Sequence, residues 1–69
     1  MRILIVDDEA FIRENLERIL NEDGYRSFST ESPDDAVRQV REEDFDLVFL
    51  DLNLGATSGL DVLRKMKEV

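Results

Sequence analysis

Two short apolar runs, each cut off by acids, constrain this chain more than any other feature. Ile3-Leu4-Ile5-Val6 is unbroken and stops at Asp7-Asp8-Glu9, while Phe45 to Leu50, with Asp46 as its one early charge, stops at Asp51. A strand with one wet face alternates apolar and polar residues. A continuous run suits a strand covered on both faces, as in a parallel sheet sandwiched by helices. The intervening segments read as helices. Ile12, Leu16, Ile19 and Leu20 recur at helical spacing, with Arg13, Glu14, Glu17 and Arg18 expected on the outside and Gly24 as the stop. Ser32 as N-cap, Pro33 at the first helical position and Asp34-Asp35 in the first turn open a second helix, striped by Ala36, Val37 and Val40. Tyr25 to Ser29 is a weaker strand nearer an edge. Residues 52–59 are small and polar enough for a loop, and a last helix carries Leu60, Leu63 and Met66 on one side and is still running at Val69.

Strict alternation of strand and helix predicts a parallel sheet with right-handed crossovers. With the two strongest strands as neighbours and the weak one outside the first, the order is 2-1-3. The first helix then lies on one face and the second and third on the other. The chain reverses direction between the first and third strands, and open α/β sheets place their ligands in the crevice at that reversal, at the carboxyl ends of the strands. Asp7, Asp8 and Asp51 all fall there. Adjacent strands are about 4.8 Å apart, so carboxylates at their ends can share one cation. Mg²⁺ takes one or two carboxylates together with waters and phosphate oxygens, whereas Ca²⁺ asks for more protein oxygens. Two metal carboxylates and a third in nucleophile position fit Mg²⁺-assisted attack on a phosphoryl group, which an aspartate can accept as an acyl phosphate.

The charge balance narrows the partners. Nine Lys+Arg against seventeen Asp+Glu leave a net charge of −8, which argues against nucleic-acid or anionic-membrane surfaces, since both need clustered basic residues. Without cysteine or histidine, no disulfide, thiolate metal site, imidazole ligand or imidazole base is available. No apolar run approaches the ~20 residues of a membrane span, and no signal-peptide layout precedes the first strand, so a cytoplasmic chain is expected. At 69 residues the chain makes one small domain, of a size that buries only about 60% of the surface its unfolded form exposes.

Ile3 to Glu9, Asp51 after Leu-Val-Phe-Leu, and Ser58-Gly59-Leu60 beyond it resemble, in order and spacing, the receiver domains of two-component response regulators. The resemblance runs along the whole chain. It implies a flavodoxin-like α/β half-domain, residues 1–69 being the first three β/α units of five. It further implies Asp51 as the phosphoacceptor, Asp8 as a direct Mg²⁺ ligand and Asp7 as the second acid, acting through a metal-bound water. Asn53 would lend its backbone carbonyl to the metal. Leu54-Gly55 replaces the family's usual Met-Pro. The family's phosphoryl-contacting hydroxyl and lysine would lie beyond Val69, and Lys65 and Lys67 on the third helix cannot replace them. Labelling by small acyl-phosphate donors is therefore expected to be slow. The implied partner of the parent protein is a sensor histidine kinase. The domain would modify itself and turn over no outside substrate, so it is not expected to be an enzyme in the ordinary sense.

Taken singly, each residue has a plainer reading. Asp-Asp after a strand is more often only a helix N-terminus, Asp51 an ordinary strand end, Asn53 a turn residue and Gly59 a backbone requirement. Phe11, Phe28, Phe45 and Phe49 are assigned to core or rim. It is the conjunction, at the switch point and in the family's spacing, that favours phosphoryl chemistry. Two alternatives remain at this level. A phosphatase fragment of the haloacid dehalogenase type also uses an aspartate after an apolar strand, but needs an acid two residues on, where this chain has Asn53. A half-domain engineered for folding or assembly is the other. With no fourth strand, the apolar edge of the third predicts a homo-oligomer joined across a two-fold axis.

Overall fold

The computed structural model describes residues 1–51, 53, 54 and 57–67. Strand β1 (Arg2–Val6) leads to helix α1 (Ala10–Glu22), strand β2 (Arg26–Thr30), helix α2 (Pro33–Glu42) and strand β3 (Leu47–Leu50). Two-residue strands β4 (Asn53–Leu54) and β5 (Thr57–Ser58) precede helix α3 (Gly59–Lys67). Leu52, Gly55 and Ala56 of the expected loop, and Glu68 and Val69 of the expected helix end, lie outside the described residues.

The continuous apolar run at the start becomes the middle strand. β1 pairs in parallel with β2 on one side and β3 on the other, giving the expected order β2-β1-β3. Ile3, Leu4, Ile5 and Val6 are all essentially inaccessible to solvent. Leu4 and Val6 face α2 and α3, where they pack with Ala36, Val37, Val62 and Met66, and Phe28, Val48 and Leu50 join from the flanking strands. The opposite face belongs to α1, whose cover is lighter. None of its residues is fully buried, and Phe11 is 75% exposed, so this phenylalanine is neither core nor rim.

Local signals explain where most elements begin and end. Ser32 Oγ accepts a hydrogen bond from the Asp35 amide at 3.2 Å, the expected N-cap, with Pro33 opening the first turn of α2. At the end of α1, Gly24 adopts φ +89°. Its amide donates to the Asn21 carbonyl at 3.1 Å, while the Tyr25 amide donates to that of Leu20 at 3.0 Å. This paired closure needs a left-handed residue after the helix, which costs a side-chain-bearing residue roughly 1–2 kcal/mol. Tyr25 is thereby spent on the cap, and β2 starts one residue later than the sequence suggested.

Two other boundaries and one buried face differ from expectation. β3 begins at Leu47, because the Asp46 amide and carboxylate are both tied to the Arg2 backbone, at 2.9 and 2.7 Å. Phe45 stays outside the strand and turns its ring edge-on to Phe28, centroids 5.8 Å apart, while the Arg2 guanidinium lies over both rings. The segment read as a loop contains the antiparallel β4–β5 pair, with Asn53 opposite Ser58 and Leu54 opposite Thr57. Finally, α3 buries Gly59, Val62 and Met66, while Leu60 and Leu63 are exposed. The stripe facing α2 is set by the 59-62-66 spacing, so only Met66 of the expected triplet lies on it.

Candidate functional site

The parallel register decides which residues meet. Val6 is the Cα partner of Thr30 on one side and Leu50 on the other, so the residues immediately after it leave the sheet together. The Asp7 amide extends the first ladder to the Thr30 carbonyl at 3.2 Å, and the Asp51 amide extends the second to the Val6 carbonyl at 2.9 Å. Asp7 and Asp51 are therefore fixed by main-chain bonds at the carboxyl ends of adjacent strands. Asp8 follows on the turn into α1.

These three side chains converge. Asp7, Asp8 and Asp51 can each offer a carboxylate oxygen such that the three atoms lie within 4.8 Å of one another. Asp7 is buried, Asp51 half-buried and Asp8 exposed, so the cluster grades from the sheet end to solvent. One oxygen of Asp7 is already engaged, Oδ1 accepting from the Glu9 amide at 2.9 Å. This bond orients the carboxylate and satisfies an amide just ahead of α1, which Glu9 does not cap with its own side chain. All-oxygen donors of this charge and spacing match a hard divalent cation such as Mg²⁺. An open cleft of about 450 Å³ is lined by Asp7 and Asp51 together with Ile5, Ile12, Leu16 and Phe49.

Of the residues singled out in the sequence, Asp7, Asp8 and Asp51 are brought together. The backbone of Asn53 is placed in β4, paired with Ser58. One contributor escaped sequence reasoning. Arg13, expected on the outer face of α1, is half-buried, and its Nη1 donates to the Asp7 backbone carbonyl at 2.8 Å. A side chain reaching back six residues to a main-chain oxygen leaves no periodic signal in a sequence.

Comparison with known proteins places the chain by family and fold. The family model of the response regulator receiver domain matches residues 3–69. The cell cycle transcriptional regulator CtrA of Caulobacter vibrioides is 34% identical over 67 residues, which make up 97% of this chain and 29% of CtrA. Response regulator TrrA of Thermotoga maritima, solved in complex with Mg²⁺-BeF, superposes with a TM-score of 0.88 at 39% identity, over 97% of this chain and 58% of TrrA. TrrA in complex with the histidine kinase ThkA gives the same score and identity. This chain thus spans under a third of CtrA and somewhat over half of TrrA. Its sheet order, helix placement and matched residues agree in one conclusion: the chain belongs to the response regulator receiver domain family.

Proposed function

We propose that this chain, as a single unit over residues 1–69, is the phosphoacceptor part of a receiver module, with Asp51 as the residue that takes the phosphoryl group. The convergence of three carboxylates at the carboxyl ends of β1 and β3 carries this reading. Asp8, Asp51 and the Asn53 backbone carbonyl would hold Mg²⁺ directly. Asp7, with one oxygen committed to the Glu9 amide, would act through water. When bound, the ion supplies positive charge to the transferring phosphoryl oxygens and relieves repulsion among the carboxylates.

The chain's own contribution is position. Asp51 is held by its main-chain bond to Val6, and a carboxylate oxygen attacks the phosphorus in line with the departing group. From a phosphohistidine donor, the new bond joins that oxygen to phosphorus as the P–N bond breaks. The electron pair stays on the imidazole, which then takes up a proton. TrrA's complex with ThkA supports a histidine kinase as the partner, and small acyl phosphates would serve as alternative donors through cleavage of their own P–O bond. The product is a modified protein, so the module signals rather than turning over an outside substrate, and it would do so in the cytoplasm, where such donors are found. A haloacid dehalogenase-type phosphatase lacks support, since Asn53 stands where its second acid is needed. We further propose that this chain self-associates through the outer edge of β3.

A Mg²⁺ titration followed by two-dimensional amide NMR tests the site. Shifts concentrated around Asp7, Asp8, Asp51 and Asn53, abolished by Asp8→Asn, are expected. Acetyl phosphate should then add one phosphoryl group, slowly and only with Mg²⁺, and Asp51→Asn should add none by mass spectrometry. Absence of any Mg²⁺ response, or labelling undiminished in Asp51→Asn, would overturn the reading.

A further inference from the structure

Asp7 is anchored at three of its atoms. Its amide donates to Thr30, its Oδ1 accepts from the Glu9 amide, and its carbonyl accepts from Arg13 Nη1 at 2.8 Å. The partners in the first two are main-chain groups that accompany the fold. The third depends on one side chain, and Arg13 contributes a second bond to the same turn, since its own amide donates to the Glu9 carbonyl at 3.1 Å. The bonds close a ring: Asp7 carboxylate to Glu9, Glu9 carbonyl to Arg13, Arg13 guanidinium back to Asp7. Asp8 lies inside that ring without being part of it.

Three carboxylates gathered at one end of the sheet repel one another, so the turn that carries two of them gains from a brace. A guanidinium stays protonated throughout the accessible pH range and donates in a fixed planar geometry, which suits it to brace such a turn. We propose that Arg13 is a positioning residue for the cation site. It holds the turn between β1 and α1 so that Asp7 and Asp8 stay aimed at Asp51, through its bond to the Asp7 carbonyl. The inference rests on the cation-site reading above and adds to it a residue that touches neither cation nor phosphoryl group.

The test is Mg²⁺ affinity of the full chain by amide NMR, with a thermal melt of each variant. Arg13→Met should weaken Mg²⁺ binding roughly tenfold, the size usual for loss of a group that orients metal ligands, and should move the Glu9 amide resonance in the metal-free protein. Arg13→Lys, which keeps a cationic donor, should restore most of the affinity. If Arg13→Met unfolds the chain, Arg13→Ala carries the same comparison. Wild-type affinity in a folded Met or Ala variant would overturn the proposal alone, as would a Lys variant no better than Met. A wild-type chain indifferent to Mg²⁺ would overturn the cation-site reading and this proposal with it.

Discussion

Asp35 illustrates how a single carboxylate ties stability to pH. The Arg38 guanidinium bonds to it, followed in weight by Gln39 and Thr30, and together they hold its pKa below the ordinary aspartate value of 3.8. The same contact pushes the Arg38 pKa upward. Because the folded value is depressed, the stabilisation is fully present above pH 3.8 and is lost as pH falls through the folded value. Solvent screens a pair this near the surface, so the effect is modest. Thermal melts should find the wild-type chain more stable than Asp35→Asn by a small margin at neutral pH, narrowing in strong acid. A margin that persists unchanged down to about pH 2 would show that the charge is not its source.

Among the elements, α3 separates what helical spacing specifies from what it leaves open. Its apolar residues fall on two adjoining stripes, and only the face of Gly59, Val62 and Met66 is buried. Met66→Ala should cost about 2–5 kcal/mol in urea denaturation, whereas Leu60→Ser should stay within about 0.5 kcal/mol. A chain of this length has roughly 3–10 kcal/mol in total, so the first change threatens the fold and the second does not. Equal losses at both positions would mean that Leu60 also has a packing partner. β1 was legible because a strand covered on both faces needs apolar residues throughout, and β3 was legible from the same kind of run, although the structure covers only the Val48 and Leu50 face of it well. α2 was legible because Ser32 and Pro33 mark its start chemically. The β4–β5 pair was not, since two-residue strands have no period to detect. Likewise the start of β2 depended on Tyr25 being used in a helix cap, which spacing does not encode. Within the site, the three aspartates could be read from strand ends and topology, but Arg13 could not, because its partner is a carbonyl oxygen with no side-chain identity.

For the whole molecule, the two faces and two edges of the sheet are unequal. Among the described residues, β3 pairs only with β1, and Leu47 and Phe49 on it are 44% and 41% exposed. An edge with apolar neighbours invites a second strand, while a net charge of −8 on each copy repels it. Association should therefore strengthen with salt, as screening shortens the reach of that repulsion to about 10 Å at 0.1 M. Sedimentation velocity over a range of protein and salt concentrations should show dimer growing with both, and a monomer throughout would remove the proposal. The register that sets Val6 against Leu50 also governs when the acidic site can exist. Asp7 and Asp51 belong to strands separated in sequence by a helix, a second strand and another helix, and no local segment holds both. The acid cluster can accordingly form only once β1 and β3 are paired across that stretch of chain. A cation bound there, on the reading proposed above, would favour the paired state over the unpaired one, so its occupancy would report whether that long-range pairing has been made.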